Sequence, residues 1–138
     1  MAKSIQVKKA NVVETLTVAQ VEEFKRCMYG HTDPITGKFS SGPIYFIRNY
    51  MRIQHPTRGD IPFDMFPYQE EMINAFLNNN KVIVLSARQT GKSVTSSAFL
   101  LWFALFNPDK TVLIAANKND NAMEMISRIQ YGLSLIHI

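Results

Sequence analysis

The second half of the sequence predicts an α/β fold in which flanking helices cover a parallel sheet. Two apolar runs, 82–85 and 111–116, have the length and side-chain types of buried parallel strands. A segment with helical spacing follows each run, at 91–106 and at 119–131, and Gly132 is expected to end the second helix. A strand–helix–strand–helix succession predicts parallel strands joined by a right-handed crossover.

The first half predicts helices and a hairpin ahead of this unit. Thr17 and Gln20 form a capping-box pattern that begins a helix, and Gly30 ends it. Residues 31–43 are turn formers and predict a loop. Residues 44–53 suit a short helix, with a strand beginning near Met51 that pairs with 60–63 across a turn at 56–59.

Pro67 begins the helix that leads into the α/β unit, and an asparagine run at 78–80 ends it. Residues 1–16 show no clear period and predict a flexible arm. We therefore divide the chain into this N-terminal arm (1–16), a helical and hairpin subregion (17–66) and the start of the α/β domain (67–138).

Composition restricts the class of protein without identifying it. Of the 138 residues, 46% are hydrophobic and 19% are charged, as in ordinary soluble globular domains. The net charge of +4 permits a polyanionic partner, but the basic residues are spread along the chain. Cys27 is the single cysteine, which excludes an internal disulfide framework and favours a small buried side chain over a nucleophile. The longest apolar run, 98–106, is too short to span a bilayer, and the N-terminus does not resemble a secretory signal, so we expect a cytoplasmic protein.

The segment between the first predicted strand and its helix has the chemistry of a phosphate-binding loop. It follows the pattern G-x-x-x-x-G-K-[S/T], except that Ser86 stands in place of the first glycine. Gly-Lys-Ser alone is a weak signal, so the position after a strand and at the start of a helix carries the prediction. Successive N–H groups over 90–93, with the positive end of the helix dipole, would face a phosphate.

Three residues have definite roles in such a loop. Gly91 lets the backbone approach the phosphates, Lys92 reaches the β- and γ-phosphates, and the Ser93 hydroxyl ligates Mg²⁺. The alternative is a solvated strand–helix turn with an incidental lysine. Arg88 could donate two hydrogen bonds to phosphate oxygens or could simply face solvent, and its position alone favours neither.

Four segments resemble the large terminase subunit of tailed bacteriophages, the ATPase–nuclease motor that packages DNA, and most closely that of T4-type phages. They read IYFIRNYMRI, GDIPFDMFPYQEEMI, LSARQTGKSV and VLIAANKNDNAMEMI, occur in the family's order and lie within residues 20–132. The Arg-Gln pair before x-Gly-Lys-[Ser/Thr] is the most specific feature. The absent first glycine is typical of this family.

The resemblance implies a P-loop NTPase fold of the RecA/ASCE-like type, truncated here after the second βα unit. It implies ATP and Mg²⁺ as cofactors. The implied binding residues are Gln69, Ser86, Ala87, Arg88, Gln89, Thr90, Gly91, Lys92 and Ser93. Gln69 would recognise adenine, although by itself it suits a surface helix position; Arg88 would act as an arginine finger supplied in cis, and Lys92 would be catalytic. Residues 115–119 would help to couple the ATP state to movement.

The resemblance also implies double-stranded DNA, a portal protein and a small terminase subunit as partners, with an oligomeric ring forming during packaging. It implies the cytoplasm of the infected bacterial host and no membrane. No strand ending in Asp-Glu follows Ser93, so we expect this chain to bind ATP weakly without turning it over. We also expect marginal folding, because two apolar strands would have open edges. Residues 132–138 depart from the family, and His137 is not expected to be a ligand.

Two other classes remain open from the sequence. One is a fragment of a helicase-like P-loop NTPase, against which the Arg-Gln pair argues. The other is a non-catalytic nucleotide-binding or protein-interaction module, which detected ATP turnover would exclude.

Overall fold

A computed structural model of the chain describes residues 6–9 and 12–136, over which five helices and three two-stranded antiparallel ladders form. The helices are α1 Val18–Tyr29, α2 Gly42–Tyr50, α3 Pro67–Asn78, α4 Lys92–Phe106 and α5 Asn119–Ser134. The strands are β1 Gln6–Lys9, β2 Val12–Thr15, β3 His31–Thr32, β4 Phe39–Ser40, β5 Arg52–His55 and β6 Gly59–Pro62. His137 lies outside the described residues.

The predicted start and end of α1 are confirmed. The backbone N–H of Gln20 donates to the Thr17 hydroxyl at 3.3 Å. The backbone N–H of Thr17 donates to Gln20 Oε1 at 2.8 Å, which completes the capping box. Gly30, at φ +106°, caps the other end. The predicted hairpin is also confirmed, with β5 and β6 paired in a register that joins His55 to Gly59.

Two stretches expected to be irregular contain short ladders. Within 31–43, β3 pairs with β4 and α2 already begins at Gly42, so the loop prediction for the whole stretch is wrong. Within 1–16, where a flexible arm is predicted, β1 pairs with β2. Strands of two to four residues are too short to leave a periodic signal in the sequence.

The core forms where α2 packs on α1 and α4, and α4 in turn packs on α3 and α5. Cys27 is fully buried, as predicted, and burial raises the pKa of its thiol to about 12, which keeps it protonated. The Trp102 indole donates to the Cys27 carbonyl at 2.7 Å and so ties α4 to α1. The buried apolar side chains at the centre include Phe46, Ile47, Ile73, Ala98 and Leu101.

Helix α5 does not end at Gly132 as predicted but continues to Ser134. A Cβ at Gly132 would lie 2.7 Å from Met51 Cε and 3.1 Å from Leu101 Cδ2. The glycine therefore allows α5 to approach α4 closely, and it does not serve as a helix stop.

The two runs predicted to be parallel strands, 82–85 and 111–116, have no ladder partner among the described residues. Ile83, Leu85 and Leu113 are 97%, 99% and 91% exposed, so the predicted burial of these runs is not observed. An apolar strand becomes buried only when neighbouring strands and helices cover it, and these two runs do not pair with each other. The parallel sheet therefore stays a prediction.

A carboxylate between α1 and α2 joins the helices that support α4. The hydroxyls of Tyr45 and Tyr50 donate to Glu23 Oε1 at 2.7 and 2.6 Å. Burial alone would raise the pKa of Glu23, but hydrogen bonds from Tyr50 and Tyr45 and the charge of Arg26 together outweigh it and hold the pKa below its usual value.

We predict that Glu23→Gln lowers the free energy of unfolding at neutral pH by about 1–2 kcal/mol, since it weakens two hydrogen bonds to a charged acceptor. A lowered pKa stabilises the fold above the unfolded-state value and loses that effect as the pH falls. The difference between wild type and variant in urea titrations should therefore shrink below the ordinary carboxyl pKa of 4.5. Glu22→Gln, one exposed residue earlier on α1, is the control; an equal effect there, or a pH-independent difference, would contradict this role.

Candidate functional site

The segment 86–93, which the sequence predicts to bind phosphate and which we call the phosphate loop, leads directly into helix α4. Gly91 is the N-cap of α4 and adopts a left-handed conformation at φ +76°. The helix has no side-chain cap and no acidic residue in its first turn. Its first N–H groups and the positive end of its dipole are therefore available to an anion, as the sequence predicts.

Side chains within the phosphate loop hold its shape. The Thr90 hydroxyl lies 3.2 Å from Ser86 Oγ and 3.0 Å from the Ala87 carbonyl oxygen, and Lys92 Nζ donates to the Ser86 carbonyl at 3.3 Å. Gln89 is left-handed at φ +61°, so left-handed residues stand on both sides of Thr90. A non-glycine residue in that region is uncommon and often marks a functional turn.

Helix α3 contacts the phosphate loop through two hydrogen bonds to the carbonyl group of Thr90. The Tyr68 hydroxyl donates to the Thr90 carbonyl oxygen at 2.6 Å, and Gln69 Nε2 donates to the same oxygen at 3.3 Å. The other end of the Gln69 amide accepts from the Phe66 backbone N–H at 3.0 Å. Gln69 is only 3% exposed, so its interpretation as a surface helix residue is wrong.

Gly91 is required at its position for two reasons. Its positive φ disfavours any side chain, and a Cβ there would lie 2.6 Å from Gln69 Nε2. The sequence predicts that this glycine lets the backbone approach the phosphates closely. The structure adds that it also makes room for the glutamine of α3.

A cavity of about 320 Å³ lies between α3, the end of the first apolar run and the phosphate loop. Its size is at the lower end of the range for small-molecule sites. The residues that line it are Tyr68, Gln69, Met72, Val84, Leu85, Ser86, Thr90 and Lys92. Four of the predicted site residues, Gln69, Ser86, Thr90 and Lys92, therefore converge on one cavity.

The other predicted residues lie at its margin. Ala87, Arg88, Gln89 and Ser93 do not line the cavity, and the Arg88 and Ser93 side chains are exposed. Residues 115–119 are exposed and lead into α5. Tyr68 is the site residue that sequence analysis missed. Its signal is its place beside Gln69 at the start of α3, where a side chain can reach toward the phosphate loop.

A larger cavity, of about 590 Å³, lies between β5, α4 and α5 and contains none of the predicted site residues. The guanidinium groups of Arg52 and Arg128 reach it, but carboxylates pair with both: Asp60 at 2.6 Å and Glu124 at 2.5 Å. No cluster of three or more His, Cys, Asp or Glu side chains suited to a metal occurs in the described part of the chain. Over the same residues, no helix is long and apolar enough to cross a bilayer.

Residues 83–137 match the family model described as terminase large subunit, T4likevirus-type, N-terminal. This segment resembles the N-terminal part of terminase large subunits. The match begins at Ile83 and spans the phosphate loop and the whole of α4 and α5. It confirms the resemblance to terminases that the sequence indicates, and Tyr68 and Gln69 lie ahead of the matched segment. No curated protein sequence matches the chain significantly.

We predict that Gly91→Ala destabilises the chain more than Gly37→Ala does. Both glycines have positive φ, at +76° and +67°, so both substitutions introduce backbone strain of about 1–2 kcal/mol. Only position 91 adds an overlap with Gln69, since nothing lies within 4 Å of a Cβ at Gly37. The excess loss should be about 1–3 kcal/mol in chemical denaturation.

The overlap has its own test in a double-mutant cycle. Gln69→Ala removes the atom that a Cβ at position 91 would strike, so the excess cost of Gly91→Ala should disappear in that background. Equal costs in both backgrounds would show that a Cβ at position 91 does not overlap with Gln69.

Proposed function

We propose that the chain binds ATP with Mg²⁺ through the phosphate loop and Gln69, as the nucleotide-binding part of a phage DNA-packaging motor. The observation that carries the proposal is the convergence of Gln69, Lys92 and the uncapped start of α4 on one cavity. The terminase family match over 83–137 supports it and favours a terminase over a helicase-like NTPase.

The residues present fit a triphosphate. Gly91 brings backbone N–H groups forward without a Cβ, and α4 adds a positive helix end with no acidic residue in its first turn. The hydrogen bond that Lys92 Nζ makes goes to a neutral carbonyl, so the ammonium group can turn to an anion at little cost. Ser93, exposed in the first turn of α4, is the hydroxyl suited to Mg²⁺.

Gln69 retains the hydrogen-bonding capacity that adenine recognition needs. A side-chain amide has two N–H donors and two acceptor lone pairs. One donor goes to the Thr90 carbonyl and one lone pair accepts from the Phe66 amide. One N–H donor and one acceptor lone pair of Gln69 remain. Adenine presents an acceptor and a donor on its edge that can pair with them, whereas guanine presents its acceptor and donor in the opposite positions.

In the complete motor, we propose that hydrolysis of this ATP moves double-stranded DNA into a procapsid. The portal protein and a small terminase subunit would be partners, and the motor would work as a ring in the cytoplasm of the infected host. Arg88, exposed within the phosphate loop, could then swing over the phosphates as a cis arginine finger. The residues that line the cavity include no carboxylate, so activation of the attacking water would require a group from outside that lining.

We predict that Lys92→Ala abolishes measurable binding of ATP-Mg in isothermal titration calorimetry, since it removes the loop's ammonium group. Ser93→Ala should instead weaken only the Mg²⁺-dependent part of the affinity. Lys81→Ala, an exposed lysine just ahead of the first apolar run, is the matched control and should bind as wild type does. Wild-type affinity in the Lys92 variant would show that the site is assigned wrongly.

We predict that Gln69→Ala narrows the preference for ATP over GTP by about tenfold, as expected for the loss of hydrogen bonds to a base. The affinity ratio is the deciding quantity, because a general loss of loop order would weaken both nucleotides equally. Mg²⁺ dependence should be unchanged. Glu71→Ala, at an exposed position on the same helix, controls for changes in α3; an unaltered ATP:GTP ratio in the Gln69 variant would reject base recognition.

A further inference from the structure

We propose that Tyr68 is a positioning residue for the phosphate loop: its hydroxyl fixes the orientation of the Thr90–Gly91 peptide so that the Gly91 N–H faces a bound phosphate. This inference rests on the proposed function and assigns a role to a residue outside the loop itself. Its basis is the 2.6 Å hydrogen bond from Tyr68 to the Thr90 carbonyl oxygen.

The direction of the Thr90 carbonyl determines the direction of the next N–H. In a trans peptide the C=O and N–H bonds point in opposite directions within one plane, and the described chain contains no cis peptide bond. Because the Thr90 oxygen is drawn toward α3, the Gly91 N–H must point away from α3. That N–H belongs to the stretch 90–93 whose amides are expected to bind phosphate.

This peptide needs an external restraint. Rotating a peptide plane by half a turn changes ψ of the preceding residue and φ of the following one, and glycine accepts both signs of φ. Gly91 tolerates both the observed φ of +76° and the negative φ of the flipped peptide, so it does not by itself hold the observed orientation. A flipped peptide would aim a carbonyl oxygen at the phosphates and would repel them.

Tyr68 is better suited than Gln69 to provide this restraint. Its hydrogen bond is short, whereas the bond from Gln69 Nε2 is 3.3 Å long. The Tyr68 ring is also held in place by stacking on Phe66, with centroids 5.8 Å apart and planes 7° from parallel. The two residues therefore have different roles: Tyr68 orients the loop, and Gln69 keeps a hydrogen-bond donor and an acceptor for the base.

The experiment compares Tyr68→Phe with wild type in calorimetric titrations with ATP and with inorganic tripolyphosphate, both with Mg²⁺. The variant keeps the ring and its stacking on Phe66 but loses the hydroxyl. We expect about three- to tenfold weaker binding of both ligands by the same factor, as for one lost hydrogen bond, with an unchanged ATP:GTP ratio. Tyr45→Phe removes a tyrosine hydroxyl from the distant Glu23 site and should leave both affinities unchanged.

Each other outcome is decisive. Unchanged tripolyphosphate affinity with weakened ATP affinity would make Tyr68 a contact of the base and would overturn loop positioning. Unchanged affinity for both ligands would also overturn it, while leaving the proposed function intact. A wild-type chain that binds neither ligand would overturn the proposed function and this inference together.

A second measurement does not depend on ligand affinity. In the ligand-free Tyr68→Phe variant, the Gly91 amide should show exchange broadening in ¹H–¹⁵N relaxation-dispersion NMR, because the peptide can flip. The Tyr45→Phe amide spectrum should show no broadening at Gly91. A sharp and unshifted Gly91 signal in the Tyr68 variant would contradict the restraint.

Discussion

The Thr90 carbonyl is the point on which the candidate site depends. It accepts hydrogen bonds from two consecutive residues at the start of α3, Tyr68 and Gln69, and it belongs to the peptide that ends at the N-cap of α4. A carbonyl oxygen has two lone pairs, so it can satisfy both donors at once. The adjoining glycine at position 91 leaves the space that this contact occupies. One peptide group thus links the helix that carries the candidate base-recognition residue to the helix that carries the candidate phosphate site.

That link matters because α4 is the most firmly held helix near the site. It packs on α2, α3 and α5, and the Trp102 indole anchors it to α1 through the Cys27 carbonyl. The phosphate loop therefore continues into the well-packed helix α4 at its C-terminal end, and α3 holds it by hydrogen bonds to Thr90. Its N-terminal end continues from an apolar run whose Ile83 and Leu85 are exposed. Order in the loop comes from helices in this structure, and not from a surrounding sheet.

The helices and the loop could be predicted from local signals, whereas the contacts of the site could not. The capping box at Thr17, the proline at 67 and the Gly-Lys-Ser triplet each act within a few residues, so the sequence locates α1, α3 and the start of α4 correctly. The prediction that Gly132 ends α5 is wrong because this glycine instead allows close packing against Met51, about eighty positions away in the chain. The burial of Gln69 and the bond from Tyr68 likewise depend on packing between elements, which no local pattern encodes. The apolar runs at 82–85 and 111–116 read as strands, but pairing requires neighbours that a single run does not specify.

A ¹H–¹⁵N NMR titration of the chain with ATP-Mg tests the central claim most directly, because it reports every backbone amide at once and separates the two cavities. The account predicts saturable shifts at the amides of 90–93 and at the side-chain amide of Gln69, with the residues around the 590 Å³ cavity, such as Arg52 and Arg128, left unchanged. Shifts concentrated at that larger cavity, or none at 90–93 at saturating nucleotide, would contradict it.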